Sequence, residues 1–409
     1  MERRLDIAVI GAGVAGLAAG MRLARARHRV TLFERFPESR PVGSGLMLQP
    51  TGLAALARLG LRAEIEALGA RIDRLHGVTD RGAQVFDLGY DGLAPGLHAV
   101  AVHRAALHGV LWRGFAASGA GLETGRTIAG IETLADGRAA LRDTEGLMTP
   151  GFDLVLDATG ATSGLRAGAC DRQARPFAYG AVWASVPDIG LAPGMLAQRY
   201  VAARVMLGWL PVGSAVPGGP PLAAFFWSLK PDGHAAWAAG FEPWREAVAR
   251  LWPEMAPVVG AMPGPEALVL ARYMHFTARR PFRGPLALIG DAAHATSPQL
   301  GQGANSALLD AMALSDALEE APDIAAALTA YAAARRAHVR FYQMASALMT
   351  PFFQSDSGML SVLRDLVFDR LKIPPPLRRE MVRTLAGLKT GLFSSATPER
   401  LADPFGRGG

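Results

Sequence analysis

The stretch from Asp6 to Arg35 restricts the fold of this chain more than any other. "DIAVI" is an apolar run of strand length, and "GAGVAG" follows it with Gly11, Gly13, Ala15 and Gly16. The next residues read as a helix to about Arg27, and "RVTLFER" reads as a second strand closing on Glu34 and Arg35. Strand, glycine turn, helix, strand and an acid eighteen residues after Gly16 make the unit that opens a parallel, doubly wound sheet. Gly11 permits the tight turn, Gly13 lets backbone approach a pyrophosphate, and Gly16 lets the helix lie close on the strand, while the helix N-terminus faces the negative charge. Glu34 is then placed to accept from ribose hydroxyls and Arg35 to pack on adenine. Without a ligand these glycines would weaken the helix for no structural gain. The basic start and small apolar residues imitate a secretory signal, but the strand-turn-helix pattern accounts for them better. NAD and FAD both satisfy this unit.

A second stretch, "LIGDAAHATSPQLGQGANSALLDA" (residues 288 to 311), follows the apolar "PLALI". It places Asp291 at the carboxyl end of a buried strand, where doubly wound sheets bind ligands. Beyond it, Ala307, Ala311, Leu314 and Leu318 are spaced as one face of a helix that starts near Gly301 and Gly303. Its free amides and partial positive charge point at whatever the loop contacts.

Composition sets outer limits. A chain of 409 residues exceeds one ordinary core, so two domains are expected. Cys170 is the only cysteine, which forbids an intramolecular disulfide and fits a reducing, cytoplasmic setting. The net charge of +6 comes from scattered arginines, with lysine only at Lys230, Lys372 and Lys389, so no nucleic-acid partner is expected. No uninterrupted apolar run approaches the ~20 residues of a membrane span. Neither a metal-ligand cluster nor a serine-nucleophile motif is present.

Five motifs in order resemble the FAD-dependent aromatic hydroxylases, the single-component flavoprotein monooxygenases of the p-hydroxybenzoate hydroxylase type. They are the glycine fingerprint with Glu34 and Arg35, "RPVGSGLMLQPTGLAALARLGL" from Arg40 to Leu61, "VHRAAL" around Arg104, "DLVLDATGATSGLR" from Asp153 to Arg166, and the 288–311 stretch. The resemblance implies a Rossmann-like FAD domain, a substrate domain built on a mixed β-sheet, and C-terminal helices. It implies that Asp291 bonds a ribityl hydroxyl and that Arg104 reaches the FAD phosphates. Pro298 and the backbone of Gly301, Gln302, Gly303, Ala304 and Asn305 would lie against the isoalloxazine ring, where a helix N-terminus stabilises the reduced flavin anion without a titrating side chain. His294 reads as a packing residue, and no acid or base residue is assigned. The implied reaction reduces FAD with NAD(P)H, adds O2 at flavin C4a, and passes oxygen from the resulting hydroperoxide to an aromatic ring. A flavin oxidase or dehydrogenase, or a non-catalytic flavin-binding protein, would fit the same scaffold.

The family has an aspartate where this chain has Thr159. A hydroxyl there hydrogen-bonds but brings no negative charge. Asp157, two residues earlier, shares a face with Thr159 if the stretch ends a strand. Slow or substrate-gated flavin reduction by nicotinamide is the expectation.

The expected division assigns 1–70, 101–166 and 276–330 to the FAD domain, 71–100 and 167–275 to the substrate domain, and 331–409 to a C-terminal helical segment. In the middle region "FAYGAVWASV", "QRYVAARVMLGWL" and "LAAFFWSL" read as strands and "FEPWREAVARLW" as a helix. Trp183, Trp209, Trp227, Tyr273 and His275, with Tyr179 and Phe226, are candidates to face substrate, although period-2 strands turn about half of such residues into core. The aromatic-rich, lysine-poor composition suggests an apolar aromatic substrate: a polycycle, a quinol precursor or a ring carried on a peptide. The tail reads as a long helix from Ile324 broken at Pro351, a helix through "GMLSVLRDLVFDRL", the breaker "IPPP", and a last helix through "REMVRTLAGLKTGL". Its Met and Phe content fits packing on the FAD domain, a lipophilic entrance or a membrane surface.

Overall fold

The computed structural model describes residues 4–38, 43–370 and 374–406, and the side chains of these except 365–370. Residues 40–42 of the second motif, Lys372 and Ile373 lie outside the described residues.

A six-stranded sheet forms the first layer, in the order Phe282–Arg283, Leu286–Leu288, Leu154–Asp157, Asp6–Ile10, Arg29–Phe33, Gly121–Glu123. All its pairings are parallel except that of Phe282–Arg283 with Leu286–Leu288. The Asp6–Ile10 strand is central and buried on both faces, which is why it reads as unbroken apolar sequence. The following helix is Val14–Arg25 and ends two residues earlier than expected, because the chain reverses at Arg27 with φ +67°. Helix Gly303–Glu320 packs between Val14–Arg25 and the long C-terminal helix Ile324–Phe353.

A seven-stranded sheet forms the second layer, in the order Val269–Ala271, Gly180–Pro187, Leu222–Leu229, Val205–Gly213, Met195–Val201, Arg74–Thr79, Gln84–Gly89. It is antiparallel except where Met195–Val201 runs beside Arg74–Thr79. "QRYVAARVMLGWL" is therefore two strands joined by a turn at Ala202, whose φ is +48°. The 71–100 stretch serves two sheets. Its middle extends this one, and its ends, in Ala70–Ile72 and Ala99–His103, pair instead in a three-stranded sheet with Gly45–Leu48. The small sheet touches the large one so closely that a methyl group on Gly45 would stand 2.5 Å from Val212.

The tail corrects two expectations. The helix runs through Pro351 to Phe353. Proline there costs one backbone bond near the helix end, and the last turn is held by the Thr350 hydroxyl on the Ser346 carbonyl and by Gln354 N–H on the Thr350 carbonyl. The helix expected through "REMVRTLAGLKTGL" is Pro375–Leu385, so the prolines open it, and a short helix, Pro398–Ala402, follows. Helix Pro375–Leu385 stops before "GLKTGL" because Gly387 turns at φ +83°.

Candidate active site

The glycine turn packs as its spacing demands. Gly11 has φ +104°, and a methyl on Gly16 would stand 1.9 Å from the Gly11 carbonyl oxygen. Gly13, in contrast, has nothing within 4 Å of such a methyl. It caps helix Val14–Arg25 with no side-chain bond, so the first amides of that helix stay available. Ala15 is buried in the core beside Gly290.

Gly11 and Gly13 line a cavity of about 530 Å³ with Glu34, Arg35, Arg104, His108 and the 158–165 loop. Glu34 is buried, and its carboxylate accepts from Ala12 N–H at 2.8 Å and Phe36 N–H at 3.1 Å. It thus fixes the glycine turn to the end of the second strand. Arg35 stacks over Phe36 with 4.6 Å to the ring centre. His108 borders the same end of the cavity beside Glu34; a histidine inside an apolar helix was its only signal in the sequence. Arg104 opens onto the cavity while protein crowds round it. Burial lowers its pKa, and Asp291 and Tyr273 oppose that. An arginine held so, facing uncapped helix amides, suits a pyrophosphate.

Asp291 does not line that cavity but lies near enough to Arg104, which does, for their charges to interact. Its Oδ1 stands 3.7 Å from where a methyl on Gly303 would be, so the carboxylate sits beside the N-terminus of helix Gly303–Glu320. Its head is exposed to the cleft while protein surrounds it. Burial pushes its pKa up, against the pull of His294 and Arg104. Pro298 is exposed at the start of a short turn that ends at Gly301, with φ +60°. The Gln302 amide turns away, donating to the carbonyls of Leu300 and Leu385 at 3.1 and 2.8 Å. That leaves the helix amides from Gly303 without a side-chain cap. Asn305 is fully buried: it donates to the carbonyls of Gly301 and Met47 and accepts from Gln49 N–H at 2.8 Å. Gln302 and Asn305 therefore brace the loop with their side chains.

The loop is held from behind by groups the sequence reading did not assign. Asp310 accepts from Gly290 N–H at 2.8 Å, His294 Nε2 at 2.6 Å and Arg335 Nε at 2.7 Å, all buried. Gln343 donates to the carbonyls of His294 and Ala295, and Ser297 bonds Ser346 and Thr350. Gln299 bonds Gln354, which also reaches the Gly180 carbonyl of the large sheet. The available signal was polar residues at helical spacing inside an otherwise apolar helix.

Thr159 and Asp157 do meet. The Thr159 hydroxyl donates to Asp157 Oδ1 at 2.6 Å, and Ser163 donates to Oδ2. Asp157 is fully buried and does not itself line the cavity, whereas both of these donors do.

The aromatic candidates divide by strand parity. Trp183 and Phe226 share one face of the large sheet, with ring centres 4.5 Å apart, and Trp183 Nε1 donates to the Tyr273 hydroxyl at 3.0 Å. Tyr273 in turn interacts with the charge of Arg104, a residue of the cavity lining. Trp209 and Trp227 point to the opposite face, where Trp209 is fully buried and Trp227 packs edge-on against Trp244. The expectation that these two face substrate is corrected: they belong to the core under helix Phe241–Leu251. Tyr179 bonds Asp356 at 2.9 Å. His275 is half-buried against Phe177. Among the described residues no metal-holding group of side chains occurs, and no helix is long and apolar enough to cross a membrane.

Comparisons with known proteins agree with this geometry. A family described as an FAD binding domain matches residues 215–345, and one described as pyridine nucleotide-disulphide oxidoreductase matches residues 5–90. The 3-amino-4-hydroxybenzoate 2-monooxygenase of Streptomyces cremeus is 31% identical over 79% of this chain and 80% of that protein. An FAD-dependent urate hydroxylase of Klebsiella pneumoniae is 28% identical over 81% of this chain and 86% of its own. The structure of Klebsiella pneumoniae HpxO complexed with FAD and uric acid superposes with a TM-score of 0.80 at 22% identity, over 96% of this chain and 99% of that one. The chain belongs to the FAD-dependent aromatic hydroxylases, single-component flavoprotein monooxygenases in which NAD(P)H is the typical reductant.

Proposed function

We propose that this protein uses NAD(P)H and O2 to hydroxylate a small apolar aromatic compound, with FAD held between the glycine turn and the Asp291 loop. The observation that carries the reading is a pair of uncapped helix N-termini, at Gly13 with Arg104 in the same cavity lining and at Gly303 with Asp291 beside it. One extended cofactor with a central pyrophosphate and a ring that becomes anionic matches that spacing of donors. FAD, when bound, supplies the electron transfer and the oxygen chemistry.

The chain's own residues bind, orient and exclude water. Gly11, Gly13 and Gly16 shape a turn that would take the pyrophosphate; Glu34 and Arg35 would border the adenosine, Arg104 would hold phosphate and Asp291 would hold the ribityl chain. Pro298, Gly301 and the amides from Gly303 to Asn305 would hold the ring. Trp183 and Tyr273 stand on the substrate side. Burial raises the Tyr273 phenol to about 12, so it keeps its proton and can donate to a substrate oxygen. A dry apolar wall at Phe226 and Trp183 limits loss of oxygen as hydrogen peroxide. In this division residues 1–70, 101–166 and 276–330 hold the cofactor, 71–100 and 167–275 the substrate, and 331–409 braces the flavin loop. The single, part-buried Cys170 suits a reducing, cytoplasmic setting.

The test is a screen of aromatic compounds, free and peptide-borne, for accelerated NAD(P)H oxidation, followed by turnover of the hit under 18O2. One labelled oxygen atom in the product is the expected result. Substrate oxidation without label would assign the protein to flavin oxidases or dehydrogenases. Flavin reduction with no turnover of any compound would leave a flavin-binding protein.

A further inference from the structure

The outer surface of the C-terminal helices has a composition unlike the rest of the protein. Of sixteen large apolar side chains exposed among the described residues, eight lie between Met344 and Phe393. On helix Ile324–Phe353, Arg336, Arg340, Met344 and Leu348 recur every four residues and are all exposed, so they form one outward stripe. The inner face of the same helix carries the bonds to the flavin loop. The next helix, Gly358–Arg370, continues outward with Met359, 77% exposed, and Val362, 66% exposed, while Ser361 and Arg364 turn in. Leu377, Arg378 and Arg379 are exposed at the start of the helix that follows.

Charge decides what this face suits. Between Ile324 and Arg379 seven arginines and one lysine stand against three acids, Asp356, Asp365 and Asp369, and Asp356 is engaged by Lys230 and Tyr179. Arg336 and Arg340 have no carboxylate partner among the described residues. Solvated, unpaired arginines beside exposed Met, Val and Leu form the pattern of an interfacial helix on an anionic bilayer: apolar side chains enter the acyl boundary and arginines meet phosphate. A protein partner of complementary shape would leave fewer long flexible side chains solvated at the centre of its contact. Behind this face, Met349 and Phe352 pack against the cluster that contains Trp183 and Phe226. The surface thus lies against the back wall of the substrate side.

We propose that this arginine-flanked apolar face docks the protein peripherally on an anionic lipid surface. Docking there sets a lipophilic aromatic dissolved in the bilayer close to the substrate side of the site.

The experiment is sedimentation of the flavin-loaded protein with vesicles of phosphatidylcholine, with and without about one-third phosphatidylglycerol, at low and high salt. The expected result is binding to the anionic vesicles only, released by salt. Arg336→Glu with Arg340→Glu lowers partitioning on the order of 30-fold, from about a factor of five for each arginine. Met359→Glu with Val362→Glu weakens binding to the anionic vesicles at low salt. Both variants keep their flavin absorbance, and the salt titration of the unmodified protein needs no variant. Absence of binding at low salt overturns the proposal, as does equal binding by all variants. A concentration-dependent dimer that both variants abolish, without vesicle binding, also overturns it and assigns the face to a second copy. None of these outcomes depends on turnover, so they leave the proposed hydroxylation untouched.

Discussion

Asp310 Oδ2 receives His294 Nε2 at 2.6 Å and Gly290 N–H at 2.8 Å, so one buried carboxylate ties the residue before Asp291 to helix Gly303–Glu320. Burial alone would raise the Asp310 carboxyl, but His294 and Arg335 bring it down to about 2. Burial disfavours the charged His294, yet Asp310 beside it raises its pKa; Asp291 adds to this and Arg335 opposes it.

The sign of the pH dependence follows. A depressed Asp310 contributes stability that is present above its unfolded value near 3.9 and is lost as pH falls toward about 2. A raised His294 contributes below about 6.5 and loses that contribution as pH climbs through its higher folded value. Asp310→Asn should cost about 3 to 5 kcal/mol, because Arg335 is left buried without its countercharge. His294→Gln should flatten the decline above neutrality. Urea unfolding from pH 5 to 9 measures both, and a profile unchanged by His294→Gln would remove the charge pair from the account.

The two glycines of the turn should fail differently. Gly16→Ala forces a methyl to 1.9 Å from the Gly11 carbonyl and should destabilise the fold by several kcal/mol, on the order of other severe overpacking. Gly13→Val meets open space and should fold normally but exclude the cofactor. Thermal melting and FAD titration of the apoprotein separate them; equal melting temperatures would contradict the packing.

Asp291→Ala should weaken FAD binding by about one to two orders of magnitude, from roughly 1.5 to 3 kcal/mol for a hydrogen bond to a charged group. The heat-released cofactor should run as FAD on chromatography, and FMN in its place would leave the glycine turn without a role. Glu34→Ala removes the acceptor of Ala12 and Phe36 amides and should weaken FAD more than Glu38→Ala, on an exposed loop. Fluorescence titration gives the comparison directly.

Thr159 is the departure with a kinetic consequence. Its hydroxyl is committed to Asp157, so Thr159→Asp places a second carboxylate beside a buried one and should lower stability. If negative charge at that point favours productive use of nicotinamide, the same variant should speed anaerobic flavin reduction in stopped flow. Fast reduction of the unmodified protein without substrate, with no change in the variant, would make Thr159 a neutral replacement.

Trp183 and Trp209 provide a control for one another. Tyr273→Phe and Trp183→Phe should change KM and substrate preference at nearly constant melting temperature, because Trp183 bonds Tyr273, which interacts with the charge of Arg104 in the cavity lining. Trp209→Ala should cost about 3 to 5 kcal/mol of stability, typical of a fully buried aromatic, without altering preference among substrates that still turn over.

The sequence by itself determined the parts whose chemistry is local. Gly11, Gly13 and Gly16 at their spacing dictate a turn that only one supersecondary unit uses, and Asp291 between an apolar strand and a small-residue loop announces a ligand at a strand end. Tertiary structure decided the rest. Which face of a strand meets the cleft depends on what packs across the sheet, and parity alone could not tell Trp183 from Trp209 until helix Phe241–Leu251 covered one side. The 71–100 stretch looked like one insert, yet its two ends pair with each other, and the second also with Gly45–Leu48, because strand partners far apart in sequence are chosen by register and burial. Asp310, Arg335 and Gln343 were invisible as a unit for the same reason: each is one polar residue in an apolar helix until two helices and a loop bring them within hydrogen-bonding distance, where burial makes pairing obligatory.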